Sequence, residues 1–527
     1  MRCRLLLAAI AASLLPAPAG AGDVSGTLTG SVEWVKADSP YRVVGETTVE
    51  LQSSLSIAPG VVVELAEGAS LDVKGELLAR GTEAKPVVFT GAPVGDGLAR
   101  WNTIRLDNAS TDAVFTFLDD YQSGSILEWC VVEGASRGVT LDGASPYLHH
   151  STFRNNRTPF SADIEGGAAV YMEPGSSPRV RDCLFEGNFA DGFNYGGAIY
   201  ADDSQPILQD NRFLNNSSIY GGAVSTNLMA SPIVGNHFES NAAMGSSYSK
   251  GGGLALVSSV CAVMNNTFVN NNSVLDGGGV HVCVDCFPHA TPFFFDNTIT
   301  GNSAKTDNPA QGAGGLGAGY VRVVADNNIH DNTRNGEPSD FGWYHPLEEG
   351  MPDWVAVRSI AHNWWGTTKL LEVAERITDG TDIEGVGTVL FEPVLGEAVV
   401  APTPRVTLTT RRLHYDEPGE PMRVYLTVYN PGAEASFELR IMLSYDGLQQ
   451  VPYIVPLGLP YEEVAGGCHH FTMPENGIYF KTLLNPIYAG TGGITGGHWR
   501  AALYDAEGAV VGQVSEVRFD LMGEVAP

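Results

Sequence analysis

Positive charge is scarce in this chain. Lysine and arginine number 30 against 60 acids, for a formal net charge of −30 at pH 7. A surface of that sign repels phosphate backbones and anionic lipid at long range, which excludes a nucleic-acid partner. Long apolar runs are missing too. Beyond the first 21 residues no stretch offers 18 uninterrupted apolar side chains, so no transmembrane helix is expected. Amphipathic helix patterns are absent from the centre of the chain, because Gly, Asn, Pro and Ser break every apolar run within about eight residues. Cysteine is sparse at 7 in 527 residues, and Cys283-x-x-Cys286 has no second pair opposite it, which argues against a thiolate metal site.

What the chain does have is repetition. Over residues 151–332 one phrase returns seven times: Phe153-Arg-Asn-Asn156, Phe185-Glu-Gly-Asn188, Phe213-Leu-Asn-Asn216, Phe238-Glu-Ser-Asn241, Phe268-Val-Asn-Asn271, Ile299-Thr-Gly-Asn302 and Ile329-His-Asp-Asn332. The spacings are 32, 28, 25, 30, 31 and 30 residues. Between them stand Gly166-Gly-Ala168, Gly196-Gly-Ala198, Gly221-Gly-Ala223, Gly251-Gly-Gly253 and Gly277-Gly-Gly279, each opening a short alternating run such as Ile199-Tyr-Ala-Asp202. Such a period signals stacked structural units, and alternation over a few residues signals half-buried strands. A unit of about 30 residues with two or three such strands is one coil of a right-handed parallel β-helix.

The asparagines support this independently. Asn211, Asn236, Asn266, Asn297 and Asn327 stand two residues before the Phe or Ile, with Asn363 in the same column further on; Asn also closes each of the seven phrases. Asn tolerates left-handed turns, and its amide both donates and accepts. Equivalent residues stacked about 4.8 Å apart can therefore bond up the column as a ladder.

In chain order, Met1-Arg-Cys-Arg4, an apolar run over 5–15 and small residues to Ala21 have the three parts of a secretory signal peptide, expected at 1–21. Its removal takes two of the 30 basic residues and leaves a charge near −32. Export makes a disulfide from Cys261 to Cys283 or Cys286 an expectation, whereas Cys130 and Cys183, two coils apart, are expected to be small buried residues. The β-helix is expected over 22–399, with a cap near 24–35 covering the open edge of the first coil. At the far end Asn363-Trp-Trp-Gly366 and a short helix near 369–376 are expected to close the last coil, with Trp365 in the Phe position. A Pro-containing linker at 400–404 leads to alternating runs over 405–527, the pattern of a β-sandwich of about seven strands. Cys468-His-His470 is expected in a surface turn, since neighbours on a strand point to opposite faces and cannot easily share a metal.

The runs over residues 41–90 resemble the opening coils of secreted bacterial β-helix proteins, and Asn363-Trp-Trp-Gly366 is similar to their closing motif. The Gly-Gly-Ala-Ile199, Gly-Gly-Ala-Val224 and Phe-x-x-Asn phrases resemble the repeats of polymorphic outer-membrane adhesins, over about residues 150–335. That resemblance implies an exported, surface-associated binding role. The adhesins' membrane barrel is not carried over, because the sandwich is too short for one. Against the hydrolases of this fold, Asp119-Asp120 and Asp202-Asp203 are bare acidic pairs, without the Gly-His-Gly or Arg-Ile-Lys that accompany them in polygalacturonases. Against the pectate lyases, the Asp/Tyr columns show no aligned basic residue.

Aligning the coils on Gly-Gly places Val170, Ile199, Val224, Leu254 and Val280 inward. Tyr171, Tyr200, Ser225, Ala255 and His281 then point outward, followed by Glu173, Asp202, Asn227, Val257 and Cys283. Tyr171 and Tyr200 would stack, with Glu173 and Asp202 about 5 Å apart. Close carboxylates beside aromatics suit a retaining glycosidase, and also suit sugar or calcium binding; the bland alternative is the solvated surface of an acidic protein. Tyr171, Tyr200, Glu173, Asp202 and Asp203 are the candidate ligand contacts, and Glu173 and Asp202 the candidate catalytic pair. No cofactor is expected other than calcium at these acids. Insertions over 190–195, 242–250 and 304–311 leave from one edge and could form a recognition surface. The expected function is a monomeric binding or adhesion module for a polysaccharide or cell-surface ligand. A polysaccharide lyase or glycoside hydrolase working in a groove is the alternative.

Overall fold

The computed structural model describes residues 22–116, 120–161, 166–245, 248–283, 292–308, 312–344, 357–383, 386–410, 414–415, 423–444, 451–453, 455, 457, 459, 462–484 and 494–521. The expected leader at 1–21, Asp119 and Cys286 lie outside the described residues. The chain is all-β: a right-handed parallel β-helix followed by a small antiparallel sandwich. One coil shows the plan. Ile199–Asp202 runs along a face opened by Gly-Gly, Ile207–Gln209 along a middle face, and Arg212–Leu214 along a face that carries the phenylalanines. Each strand pairs in parallel with its counterpart one coil on, so Ile199, Val224, Leu254, Val280 and Leu316 fall in one register line.

Period-2 alternation sends that line inward, where all five side chains are fully buried. Phe153, Phe185, Phe213, Phe238 and Phe268 stack inside the same interior with ring centroids 5.0, 4.8, 4.7 and 4.6 Å apart. The strand repeat imposes that spacing, and it lies within the favourable range for offset aromatic contact. The Gly-Gly turn cannot carry a side chain. A Cβ at Gly222 would stand 2.2 Å from the Gly252 carbonyl oxygen, and the preceding Gly221 has φ +68°.

Two asparagine ladders hold the corners. In the first, the Nδ2 of Asn211, Asn236, Asn266, Asn297 and Asn327 each donates to Oδ1 of the next member, at 2.9–3.0 Å, ending on Asn363. The residue just before each corner carries positive φ, as in Asp210 (55°), Gly235 (69°), Asn265 (53°), Asp296 (57°) and Asp326 (57°). The second ladder runs from Asn156 through Asn188, Asn216, Asn241, Asn271 and Asn302 to Asn332. Its last rung is a carboxylate: the backbone N–H and Nδ2 of Asn332 both donate to Asp340 Oδ1, at 2.9 and 2.8 Å.

Burial pushes the Asp340 carboxyl up to about 6 despite those bonds and the nearby Arg376. The folded value therefore lies above the ordinary 3.8. Stability from the protonated form is fully present below pH ~3.8 and is lost as pH rises through about 6. Asp340→Asn keeps an acceptor for Asn332 and removes the titration. The variant should gain on the wild type by roughly 2 kcal/mol between pH 4 and pH 7. Urea unfolding at the two pH values checks this.

The two ends of the β-helix are closed as layers. Asp23–Leu28 and Ser31–Trp34 cover the first coil by pairing in parallel with Tyr41–Val49 and Ser54–Ile57. At the far end Trp365 is fully buried, and a five-residue helix, Leu370–Ala374, turns Val373 into the interior. The sandwich has one sheet of Arg405–Thr410, Arg423–Asn430 and Gly477–Leu484, and a second built around Ala435–Ser444, Cys468–Met473, Ile494–Tyr504 and Val510–Leu521. Val406, Leu426, Leu439 and Trp499 share the core between them.

The sandwich does not hang free. Tyr429 and Ile478 pack on Val234, Met264, Phe293 and Phe295, which point outward from the middle face. Arg405 closes the joint. It is 4% exposed and bonds bidentately to Asp296 (3.0 and 3.0 Å) and to Asp326 at 2.8 Å.

Two local expectations are corrected. Cys261 is a free thiol packed in the coil interior, whereas Cys283 is disulfide-bonded. The Cys261 bridge is not made because its side chain points into the core. Cys468-His-His470 lies in a strand, not a surface turn, with His469 buried and His470 exposed on the opposite face. Cys130 and Cys183 are buried and unpaired, as their two-coil separation requires.

Candidate functional site

The outward register of the glycine face is the expected one, with Tyr171 opposite Tyr200 and then Ser225, Ala255 and His281 in line. Outward does not mean exposed. Tyr200 is only 4% accessible, and Ser225, Ala255 and His281 are fully buried. Side chains from the insertion edge cover them. Tyr195 packs edge-on against Tyr200, Tyr220 packs against His281, and the Asp276 carboxylate lies 2.8 Å from His281 Nδ1.

Tyr171 and Tyr200 stack at 5.7 Å with an interplanar angle of 7°. The other face of Tyr171 meets the Arg137 guanidinium, 4.7 Å from the ring centroid. Rings stacked along the coil axis present edges, not faces, to solvent. The pair therefore presents ring edges to a ligand at this surface.

Glu173 and Asp202 follow Met172 and Ala201, which are register partners, so the two acids stand on adjacent rungs. Both are half-buried, and Asp202 accepts 2.8 Å from Asn227 Nδ2. Asp203, at φ 39°, turns the chain away beside them. The acidic row extends further than the sequence suggested, because Asp107 and Asp142 share the register of the two preceding coils. It also has a basic member. Arg105 lies two rungs before Tyr171 and reaches Asp142 at 2.5 Å. The Asp142 hydrogen bond holds the Arg105 guanidinium further in its charged form. Arg105 thus corrects the expectation that the Asp/Tyr columns hold no aligned basic residue. The Gly-Gly phrases missed Arg105 and Asp142, because they precede the first such phrase; only coil pairing brings them into line.

Exposed apolar side chains lie along the opposite edge of this face. Phe160 is 70% accessible, Phe193 53%, Met244 45% and Tyr248 75%. Phe160 and Phe193 belong to neighbouring rungs, since Arg157–Ser161 pairs with Phe189–Gly192.

A second cluster lies at the corner between the middle and phenylalanine faces, among residues that the repeats did not single out. His149, His150 and Asp182 each place a ligand atom within 4.8 Å of the others'. His149 points outward from a strand, between Glu128 and Arg181 on the neighbouring coils. His150 follows at φ 47°, and Asp182 holds the same corner one coil on at φ 54°. The left-handed turn brings two consecutive histidines to one side, with ring centroids 3.9 Å apart. Trp129 stacks on His150 at 4.4 Å and Tyr147 on His149 at 4.6 Å. Burial and the neighbouring His149 lower the His150 pKa, favouring the neutral ring. Burial works to raise Asp182, but the His149 hydrogen bond and the Arg181 charge hold it below the ordinary carboxylate value.

Residues 102–259 match a family described as the right handed beta helix region. No curated protein matches the chain in sequence. Three structures of the tailspike protein of E. coli bacteriophage HK620, each in complex with a pentasaccharide and two of them mutants, align over 84% of this chain and 86% of theirs. Identities are 12%, 13% and 11% and TM-scores 0.21, 0.19 and 0.16, a likeness too slight to argue from.

Proposed function

We propose that this protein is an exported, surface-associated binding module that holds a polysaccharide or similar cell-surface ligand across the glycine face of the early coils. The observation that carries this reading is the exposed apolar edge of Phe160 and Phe193, 70% and 53% accessible, whereas most other phenylalanines among the described residues are buried. Free ring faces offer apolar area to the C–H faces of a sugar. The row of Glu173, Asp202 and Asp203 on the far side of the same face offers acceptors to sugar hydroxyls, and is where calcium could bridge a ligand of like charge. Tyr171 keeps its polar tip at that surface, whereas Tyr200 acts from beneath by fixing Tyr171.

Binding to a panel of neutral and acidic glycans should fall at least tenfold in Phe160→Ser/Phe193→Ser. Full retention in that variant would remove the edge from the account. The adjacent rungs of Glu173 and Asp202 favour a second reading, glycoside hydrolysis by a close carboxylate pair. Under that reading Glu173→Gln/Asp202→Asn abolishes glycan turnover while leaving binding intact; under the binding reading neither protein turns the panel over.

A further inference from the structure

We infer that the corner formed by His149, His150 and Asp182 is a site for a divalent transition metal of the zinc class. Three observations combine. The donor set is two imidazoles and one carboxylate, the borderline ligands that zinc prefers to oxygen-only cages. Their ligand atoms already lie within 4.8 Å of one another, and His149 Nε2 is 3.6 Å from Asp182 Oδ2. Metal–ligand bonds of about 2.0–2.1 Å require ligand atoms some 3.3 Å apart, so rotamer adjustments of about 1 Å close the set.

The second observation is the support behind His149. Its Nδ1 faces Glu128 Oε1 at 3.3 Å, and Glu128 is held by Arg80 at 2.8 Å. When an ion displaces the proton that His149 Nε2 shares with Asp182, the Glu128 carboxylate on Nδ1 fixes the tautomer and leaves the Nε2 lone pair to ligate beside Asp182.

The third is rigidity. Trp129 and Tyr147 clamp the two rings from outside the donor set, and the positive φ of His150 places both imidazoles on one side. On an ordinary strand they would diverge, as His469 and His470 do. Arg181 Nε, 3.3 Å from Asp182 Oδ2, opposes the cation and must share the carboxylate, whose two oxygens can serve both. Three protein ligands leave one position of a tetrahedral ion open to water or to an anionic ligand group.

The test is titration of ZnCl2 into the purified full-length protein by calorimetry, with Co2+ absorption as a second readout of nitrogen and oxygen ligation. Wild-type protein should take up one ion per chain at this site. His150→Gln and Asp182→Asn should each weaken uptake at least tenfold. Glu128→Gln, which removes only the support of His149, should weaken it by roughly 10-fold or more. His498→Gln, remote on the sandwich, should bind as wild type does. Circular dichroism and melting confirm that each variant is folded, and His150→Asn substitutes for any that is not. No saturable uptake by the wild type overturns the assignment. So does unchanged uptake in folded His150→Gln and Asp182→Asn.

Discussion

Replacing Asn236 by leucine should destabilise the β-helix by roughly 3–5 kcal/mol, although the two side chains are nearly equal in size. Asn236 Oδ1 accepts from both the backbone N–H and Nδ2 of Asn211, while its own Nδ2 donates to the carbonyls of Leu208 and Val234 and to Asn266 Oδ1. Some of these groups have other partners. Asn211 Nδ2 also reaches the Val180 carbonyl, and Asn266 Oδ1 also accepts from the Asn236 backbone. The Asn211 N–H and the Leu208 carbonyl are the ones left buried with a partner lost, at about 1–3 kcal/mol each, and the side-chain rungs add the rest. The exposed Asn102, changed to leucine, should alter stability by less than about 0.5 kcal/mol. Denaturant unfolding of the two variants against wild type checks the contrast.

Arg405→Leu should cost a similar amount, roughly 3–5 kcal/mol, by leaving the Asp296 carboxylate buried without a counter-ion. The pair is not symmetric. Burial outweighs the guanidinium at Asp296, whose pKa is raised, and Asp326 repels it further. At Arg405 burial works against the charge, but two carboxylates together overcome it and raise the pKa. Changing Asp296 to asparagine as well should therefore recover most of the loss, since a neutral amide needs no counter-ion and tolerates the left-handed turn at φ 57°. The single variant should also loosen the sandwich from the middle face, read as faster proteolytic cleavage near residues 400–404. Equal stability of Arg405→Leu and wild type would show that the joint rests on the apolar contacts of Tyr429 and Ile478 alone.

The coils were legible in the sequence because their register follows a period. Phe153 to Phe268, the two asparagine columns and the Val170 to Val280 line need only be counted. What covers the glycine face was not legible. Tyr195, Tyr220 and Asp276 each stand directly before Gly-Gly and share one bridged column with Lys250, but side chains so unlike give no sign that they fold over the face. The docking of the sandwich did leave a sign. Val234, Met264, Phe293 and Phe295 are apolar at positions that should face water, and strands apolar on both sides are covered on both. Arg405 and Asp296, 109 residues apart, left none. The corner of His149 and His150 escaped because a His-His pair reads as divergent on a strand, and only the left-handed turn at His150 makes it converge.

Hydrogen exchange at the corner amides tests the stack most directly. The backbone N–H groups of Asn211, Asn236, Asn266, Asn297 and Asn327 each donate to the side chain of the next coil's asparagine at 2.9–3.0 Å, and all five residues are buried. They should exchange as slowly as the neighbouring strand amides of Phe213 and Phe238, although they sit in turns. Exchange at loop rates, with the strands still protected, would contradict the ladders and the coil register built on them.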